Sequence, residues 1–211
     1  QGGGSVKKRI PIGIEFYKKM IDKSFYYVDK TLLIKDLLDK GGEVTLFTRP
    51  RRFGKTLALS MLRTFFEQEI DQNGTVIDNS HYFEGMKIWQ AGQPYISHMG
   101  QYPVISLSLK SAKQPDFQMA YECLVEEIAW EYHRHAYLLQ SDCISQEDKE
   151  KYRALMGRRA NRSDYATALR FLSKCLKNYH QKNVVILLDE YDVPLENSYF
   201  RGFYDEMIDF I

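Results

Sequence analysis

Cysteine, net charge and long apolar runs are all scarce in this sequence, and each shortage excludes a class of protein. The 211 residues include three cysteines, Cys123, Cys143 and Cys175, which are far apart and form no CxxC pair. An odd number of scattered thiols in a chain of this length argues against a secreted disulfide framework. We therefore expect a reducing compartment, the cytoplasm, and buried, unreactive thiols.

The sequence has no apolar run near the ~20 residues that a membrane helix needs, so we expect no membrane partner. The 29 basic and 28 acidic side chains nearly cancel, which argues against a generally basic nucleic-acid-binding surface. A local basic patch is compatible with this balance, so nucleic acid stays an open but unsupported alternative partner. The glycine-rich residues 1–5 lack the features of a signal peptide and indicate a flexible tail or a remnant of cloning.

Strand and helix patterns alternate along the rest of the chain. The last predicted strand is an apolar run without alternation, which is typical of a strand covered by helices on both faces. This order predicts an α/β fold with a doubly wound, mostly parallel sheet. Residues 71–100 are expected to be loop with short elements, and a polar stretch is expected to lead to about residue 161. The predicted strands are residues 44–48, 104–109 and 184–188, and the predicted helices are residues 31–40 (capped by Asp29), 57–69, 117–139, 165–180 and 199–211.

A phosphate-binding loop is predicted between the first of these strands and the helix that follows it. Phosphate oxygens need several converging donors, and a loop that turns into a helix N-terminus supplies them as backbone N–H groups. Gly54 allows the backbone to come close, because it has no Cβ. Lys55 would reach the β- and γ-phosphates, and Thr56 would give its hydroxyl to Mg²⁺. The predicted nucleotide-binding residues are Arg51, Arg52, Phe53, Gly54, Lys55, Thr56 and Leu57.

This loop departs from the pattern GxxxxGK[ST] at one place, because Arg49 stands where the first glycine is expected. Glycine normally takes the strained dihedral angles of the opening turn. The arginine therefore puts the conformation of the first turn of the loop in question. Pro50 fixes its own φ and offers a different entry. The competing interpretation is a basic loop exposed to solvent. The position between a strand and an amphipathic helix favours the phosphate-binding interpretation.

An acidic pair follows the apolar strand at residues 184–188. Ligands of open α/β sheets bind at the carboxyl ends of the strands. Asp189 would hold the water shell of Mg²⁺, and Glu190 would polarise the attacking water as a general base. A plain strand entering a turn gives the same pattern. Because the acidic pair comes after a phosphate loop in the chain, we favour its interpretation as the Walker B motif, the magnesium-binding carboxylate of P-loop proteins.

Several segments resemble the AAA-ATPase-like family, whose members often carry a PD-(D/E)XK nuclease-like region further along the chain. The loop form Arg-Pro-Arg-Arg-Phe-Gly-Lys is itself typical of that family, and it is also similar to archaeal ATPases of the STAND type. The resemblance extends from residue 11 to about residue 210. The matching segments are residues 11–14, 27–31, 49–56, 102–105 and 188–194.

The resemblance implies ATP as the nucleotide, Mg²⁺ as the metal and the segment 27–31 as a neighbour of the adenine. It also implies a further strand with a polar sensor residue, and only about twenty residues follow Glu190. We therefore expect a fragment of a longer protein, in which a C-terminal effector region is absent. The expected organisation is a tail at residues 1–5, a helical N-terminal extension at residues 6–43 and an incomplete P-loop core at residues 44–211.

Two functions are compatible with these features. The first is an ATPase module that drives or gates a larger protein, with slow turnover in this fragment. The second is a nucleotide-binding module without hydrolysis, which acts as a structural switch for a protein or nucleic-acid partner. Glu190 beside Asp189 favours the first function, and the missing sensor strand favours the second.

Overall fold

A computed structural model describes residues 16–25, 27–41, 55–189 and 198–210. The predicted strand at residues 44–48, the loop residues 49–54 and Glu190 lie outside these ranges. The described chain divides into two compact units. The first contains the described residues up to Phe65 together with Asp78–Gly100, and the second contains Phe66–Ile77 and the described residues from Gln101 onward. The domain boundaries predicted after residues 5 and 43 stay predictions.

The first unit is helical. An aromatic core joins its segments: the ring of Phe83 stacks on Tyr17 at 5.2 Å and meets the edge of Phe65 at 5.2 Å. All three side chains are fully buried. The helices are α1 (Tyr17–Asp22), α2 (Leu32–Lys40), α3 (Lys55–Phe66, whose last residue belongs to the second unit), α4 (Lys87–Gln90) and α5 (Gln93–Ile96).

The described part of the second unit contains two small sheets and several helices. A short antiparallel hairpin pairs β1 (Glu69–Ile70) with β2 (Val76–Ile77). The larger strands β3 (Val104–Ser108) and β4 (Val185–Asp189) pair in parallel, from Val104 opposite Val185 to Ser108 opposite Asp189. The helices are α6 (Phe117–Arg134), α7 (Gln146–Met156), α8 (Arg162–Ala166), α9 (Ala168–His180) and α10 (Ser198–Phe210).

The two faces of the β3–β4 pair differ in character. Side chains alternate between the faces of a strand, so Ile105, Leu107 and Leu188 share one face. These three residues belong to the hydrophobic core that the second unit builds with its helices. The alternate positions, which include Ser108 and Asp189, lie on the opposite face. The core therefore fixes which face carries the polar residues at the strand ends.

The parallel pairing of two strands predicted from sequence agrees with a mixed α/β fold. The doubly wound arrangement of the whole sheet stays a prediction. Within the described ranges, no helix combines the length and apolar character needed to cross a membrane.

Two predicted helices end earlier than expected. The helix predicted at residues 57–69 ends at Phe66, because the backbone then turns to pair with Tyr102: the Gln68 N–H donates to the Tyr102 carbonyl at 2.8 Å. The helix predicted at residues 117–139 ends at Arg134, and a 3-10 turn occupies Ala136–Gln140. Both ends lie where long-range polar contacts take over from the helical pattern.

The polar stretch expected to lead to residue 161 contains a helix that the sequence did not reveal. The hydroxyl of Ser145 caps α7 by accepting the Asp148 N–H at 3.1 Å. Its apolar stripe is short, since only Lys149, Tyr152 and Leu155 are buried. The helix predicted at residues 165–180 is in turn divided at Thr167 into α8 and α9.

A buried ionic clasp seals the edge of β3 that faces away from β4. We use this name for Glu67, Glu131 and Arg134. Arg134 Nη1 donates to the Glu67 carboxylate at 2.6 Å, its Nε donates to Glu131, and its Nη2 donates to the Val104 carbonyl at 2.8 Å. Glu131 also accepts the Ser106 N–H at 2.5 Å. Side chains thus satisfy backbone groups that an additional strand would otherwise use.

A second polar chain extends from the same end of the strand. The Tyr137 hydroxyl lies 2.7 Å from His180 Nε2 and 3.3 Å from His135 Nδ1, and His180 Nδ1 lies 3.1 Å from the side-chain oxygen of Gln68. Burial lowers the pKa of His180 to about 4, so its ring is neutral at pH 7. This chain ties the segment after α3 to the end of α9.

Replacing the arginine of the clasp tests how much the sealed edge contributes to stability. Arg134→Leu leaves the buried carboxylates of Glu67 and Glu131 without their cation, so we expect a loss of about 3 kcal/mol in the free energy of unfolding. Urea denaturation measures it. Arg158→Leu is the matched control, because its pair with Glu126 is exposed and such pairs contribute little. Equal free energies of unfolding for Arg134→Leu and the parent would show that the clasp does not stabilise the protein.

Candidate functional site

The first half of the candidate site is the beginning of α3. The helix starts at Lys55, directly after Gly54, and continues for 12 residues. Its first four N–H groups have no acceptor within the helix, and its dipole places partial positive charge at the same end. Thr56 and Leu57 lie in this first turn and are half-buried. The predicted helix start is therefore confirmed to within two residues, and this helix end has the properties of an anion-binding position.

Helix α3 is held by contacts further along its length. The Tyr17 N–H donates to the hydroxyl of Ser60 at 3.0 Å, and Thr64 donates its hydroxyl to the Ser60 carbonyl at 2.8 Å. The Tyr17 hydroxyl in turn donates to the Tyr82 carbonyl at 2.6 Å. The bond from Tyr17 to Ser60 holds the middle of α3 within the first unit, about one turn from the residues predicted to bind phosphate.

The segment 27–31 has a structural role that the sequence did not predict. Asp29 was expected to cap α2, but its carboxylate accepts the N–H and hydroxyl of Thr31 at 2.9 and 2.6 Å and the Lys87 N–H at 2.8 Å. The fully buried Thr31 accepts the Ile88 N–H at 3.1 Å. These polar groups attach the segment to the start of α4. Val28 and Lys30 are exposed, and the placement of the segment 27–31 against adenine stays a prediction.

The second half of the candidate site is the carboxyl end of β4. Asp189 is the last residue of the strand and is 6% exposed. Its carbonyl accepts the Leu109 N–H at 3.0 Å, which extends the pairing one residue beyond β3. The strand predicted at residues 184–188 is thus displaced by one residue, and Asp189 belongs to the strand rather than to the turn after it. The backbone of Asp189 is thus held by its pairing with β3.

The predicted site residues fall in different parts of the molecule. Thr56, Leu57 and the backbone of Lys55 belong to the first unit, and Asp189 belongs to the second. The association of the two halves around one nucleotide is therefore carried forward as a proposal. Outside the described residues lie Arg51, Arg52, Phe53, Gly54 and Glu190.

The donor set of the two halves fits magnesium in its chemistry. Mg²⁺ prefers oxygen ligands, keeps several waters and is usually held by one or two carboxylates together with substrate phosphates. Thr56 offers a hydroxyl and Asp189 a carboxylate, both hard oxygen donors. Across the described residues there is no group of three or more histidine, cysteine, aspartate or glutamate side chains that could hold a metal by itself.

The structure also identifies a polar neighbour that the sequence analysis missed. Ser108 is paired in register with Asp189 at the end of β3. Its residue type gave no signal, because a serine at the end of an alternating strand is common. Only the register of the parallel pair places it beside the predicted magnesium residue.

Comparison with known proteins decides the family. The family described as Predicted AAA-ATPase matches residues 11–211. The chain belongs to this family. A protein of Azotobacter chroococcum mcd 1, "Uncharacterized protein in vnfD 5'region", is 26% identical over 204 residues, or 92% of this chain. The chain spans 31% of the length of that relative. No solved structure matches the chain.

Removing the charge of Asp29 tests the attachment of the segment 27–31. Burial opposes ionisation of Asp29, but hydrogen bonds from Thr31 and Lys87 outweigh it, so the pKa lies below the ordinary value of 3.8. A lowered pKa means stability that is present above pH 3.8 and is lost as the pH falls through the folded-state pKa. We expect Asp29→Asn to lose about 1 kcal/mol near neutral pH and less in acid.

The measurement is the free energy of unfolding from urea titrations between pH 7 and pH 3. Asp36→Asn serves as the control, since Asp36 is an exposed residue of α2. A loss that is the same at every pH, or that Asp36→Asn reproduces, would refute this role for the Asp29 carboxylate.

Proposed function

We propose that this chain is an ATP-binding module that holds the triphosphate at the start of α3 and Mg²⁺ through Thr56 and Asp189. The observation that carries the proposal is that Lys55 and Thr56, which follow Gly54 in the sequence, are the first two residues of a 12-residue helix. Membership of the Predicted AAA-ATPase family supports ATP as the nucleotide.

Binding of the phosphates follows from the physics of a helix start. The first N–H groups of a helix have no acceptor within it, and together with the helix dipole they favour an anion at this position. The ammonium group of Lys55 would add a mobile positive charge for the terminal phosphates. Hydrogen bonds to charged groups each contribute about 1.5–3 kcal/mol. Several such donors are enough for specific binding of a triphosphate.

The metal would be shared between the nucleotide and two protein oxygens. Thr56 would give its hydroxyl to Mg²⁺, and the Asp189 carboxylate would accept hydrogen bonds from the metal's waters. When bound, the ion neutralises the developing charge on the phosphates. The fixed backbone of Asp189, through the Leu109 N–H, suits a carboxylate that orients water without moving.

Hydrolysis would require Glu190, the residue after Asp189. We propose that its carboxylate takes a proton from the attacking water, while Lys55 and the helix start stabilise charge on the transferred phosphoryl group. Phosphoryl transfer depends chiefly on positioning and charge stabilisation. A second carboxylate, Glu190, directly after the predicted magnesium residue Asp189 is therefore the feature that favours an ATPase.

A larger protein is the expected setting for this module. The chain spans 31% of its relative from Azotobacter chroococcum, and we propose that ATP binding or turnover drives or gates the remainder of such a protein. The second candidate function is a switch that binds nucleotide without hydrolysis. It would need Thr56, Asp189 and the helix start, but not Glu190, so one pair of variants separates the two functions.

Lys55→Ala and Glu190→Gln provide that pair. We expect Lys55→Ala to raise the Kd for ATP at least about tenfold, because a charge-assisted contact is lost. Glu190→Gln should keep the Kd within about twofold and lower turnover about 100-fold, as expected when a general base is removed. Lys40→Ala and Glu150→Gln, two exposed positions, are the controls. Calorimetry measures binding, and phosphate release measures turnover.

Each outcome assigns the function. Parent protein that binds Mg²⁺-ATP and releases no phosphate, with Glu190→Gln unchanged, would identify the switch. A Lys55→Ala variant that binds ATP as tightly as the parent would show that the start of α3 is not the phosphate site.

A further inference from the structure

Ser108 occupies the same position at the end of β3 that Asp189 occupies at the end of β4. The two residues form the last register pair of the parallel strands. Neighbouring strands lie ~4.8 Å apart, and paired residues direct their side chains to the same face. The Ser108 and Asp189 side chains therefore leave the same face of two neighbouring strands, at the sheet edge where ligands of open α/β sheets bind.

The backbone around this pair is held on both strands. The Leu109 N–H donates to the Asp189 carbonyl at 3.0 Å, and the Lys110 N–H donates to Ser108 Oγ at 3.3 Å. A hydroxyl oxygen can accept two hydrogen bonds. The bond from Lys110 thus orients the hydroxyl and leaves a second acceptor position on its oxygen.

Ser108 and Asp189 lie on the face of the sheet opposite to the hydrophobic core. Leu107 and Leu188, one residue earlier on each strand, belong to the hydrophobic core, and alternation places Ser108 and Asp189 on the other face. Asp189 is 6% exposed and Ser108 is half-buried. The two polar side chains on this face are therefore a mostly buried carboxylate and a half-buried hydroxyl on neighbouring strands.

We propose that Ser108 is a positioning residue of the magnesium site, and that its hydroxyl and the Asp189 carboxylate hold one metal-bound water between them. This inference rests on the proposed function. A water on Mg²⁺ presents its two protons outward; one would go to Asp189 and the other to Ser108 Oγ. Mg²⁺ keeps several waters in protein sites, so a fixed acceptor pair for one water is a means of placing the ion.

The test compares the affinity for ATP with and without the metal. We expect Ser108→Ala to raise the Kd of a fluorescent ATP analogue about fivefold in Mg²⁺, as for the loss of one hydrogen bond. In EDTA the Kd should stay within about twofold of the parent. Ser108→Thr keeps the hydroxyl, and threonine is favourable in a strand. We therefore expect the Kd of this variant in Mg²⁺ to equal that of the parent.

Ser106→Ala is the matched control, because Ser106 lies on the same strand and face but two residues before its end. Equal melting temperatures of the variants exclude misfolding. The inference is overturned if Ser108→Ala binds like the parent in Mg²⁺, if it loses the same affinity in EDTA, or if Ser106→Ala matches it. A parent that binds no ATP under either condition refutes the proposed function itself and this inference with it.

Discussion

The parallel pairing of β3 with β4 is the constraint on which the second unit depends. Both strands end at the same edge, so their last residues, Ser108 and Asp189, form one polar pair. The pleat then determines the rest: Ile105, Leu107 and Leu188 face the hydrophobic core, and Ser108 and Asp189 lie on the other face. A shift of the register by one residue would exchange the two faces and bury the hydroxyl in the core.

The ionic clasp occupies the edge of β3 that faces away from β4. Arg134 and Glu131, both from α6, satisfy the backbone of Val104 and Ser106. Buried charges are costly unless they are paired, and here the pairing also closes a strand edge that would otherwise attract another chain. One helix thus packs on the face of the strand and seals its edge.

The sequence predicted the elements that carry a local signal. The start of α3 near Lys55 and the strand ending beside Asp189 are both recognisable from apolar patterns and short motifs. Helix α7 was missed, because only three of its side chains are buried and its composition is polar. Asp29 was predicted to cap α2, but the N-cap residue is Thr31, and the Asp29 carboxylate binds the Thr31 N–H just before the helix. Its contact with Lys87 joins residues that are distant in sequence and could not be predicted.

The position of Ser108 was beyond sequence reasoning for a related reason. Register between strands that are separated by four helices is set by packing of the whole unit, and no local pattern encodes it. The clasp has the same origin, since Glu67 and Arg134 meet only after the chain has folded. Sequence patterns predicted where several helices and strands begin or end. The residues that contact those ends could be identified only from the tertiary structure.

A double-mutant cycle on Thr56 and Asp189 tests the central claim most directly, namely that both residues hold one metal–nucleotide complex. The quantity is the affinity for Mg²⁺-ATP of the parent, Thr56→Val, Asp189→Asn and the double variant. If the two residues share one ion, the losses are coupled, and the double variant loses less than the sum of the single losses. Losses that add independently, or single variants that bind like the parent, would contradict the account.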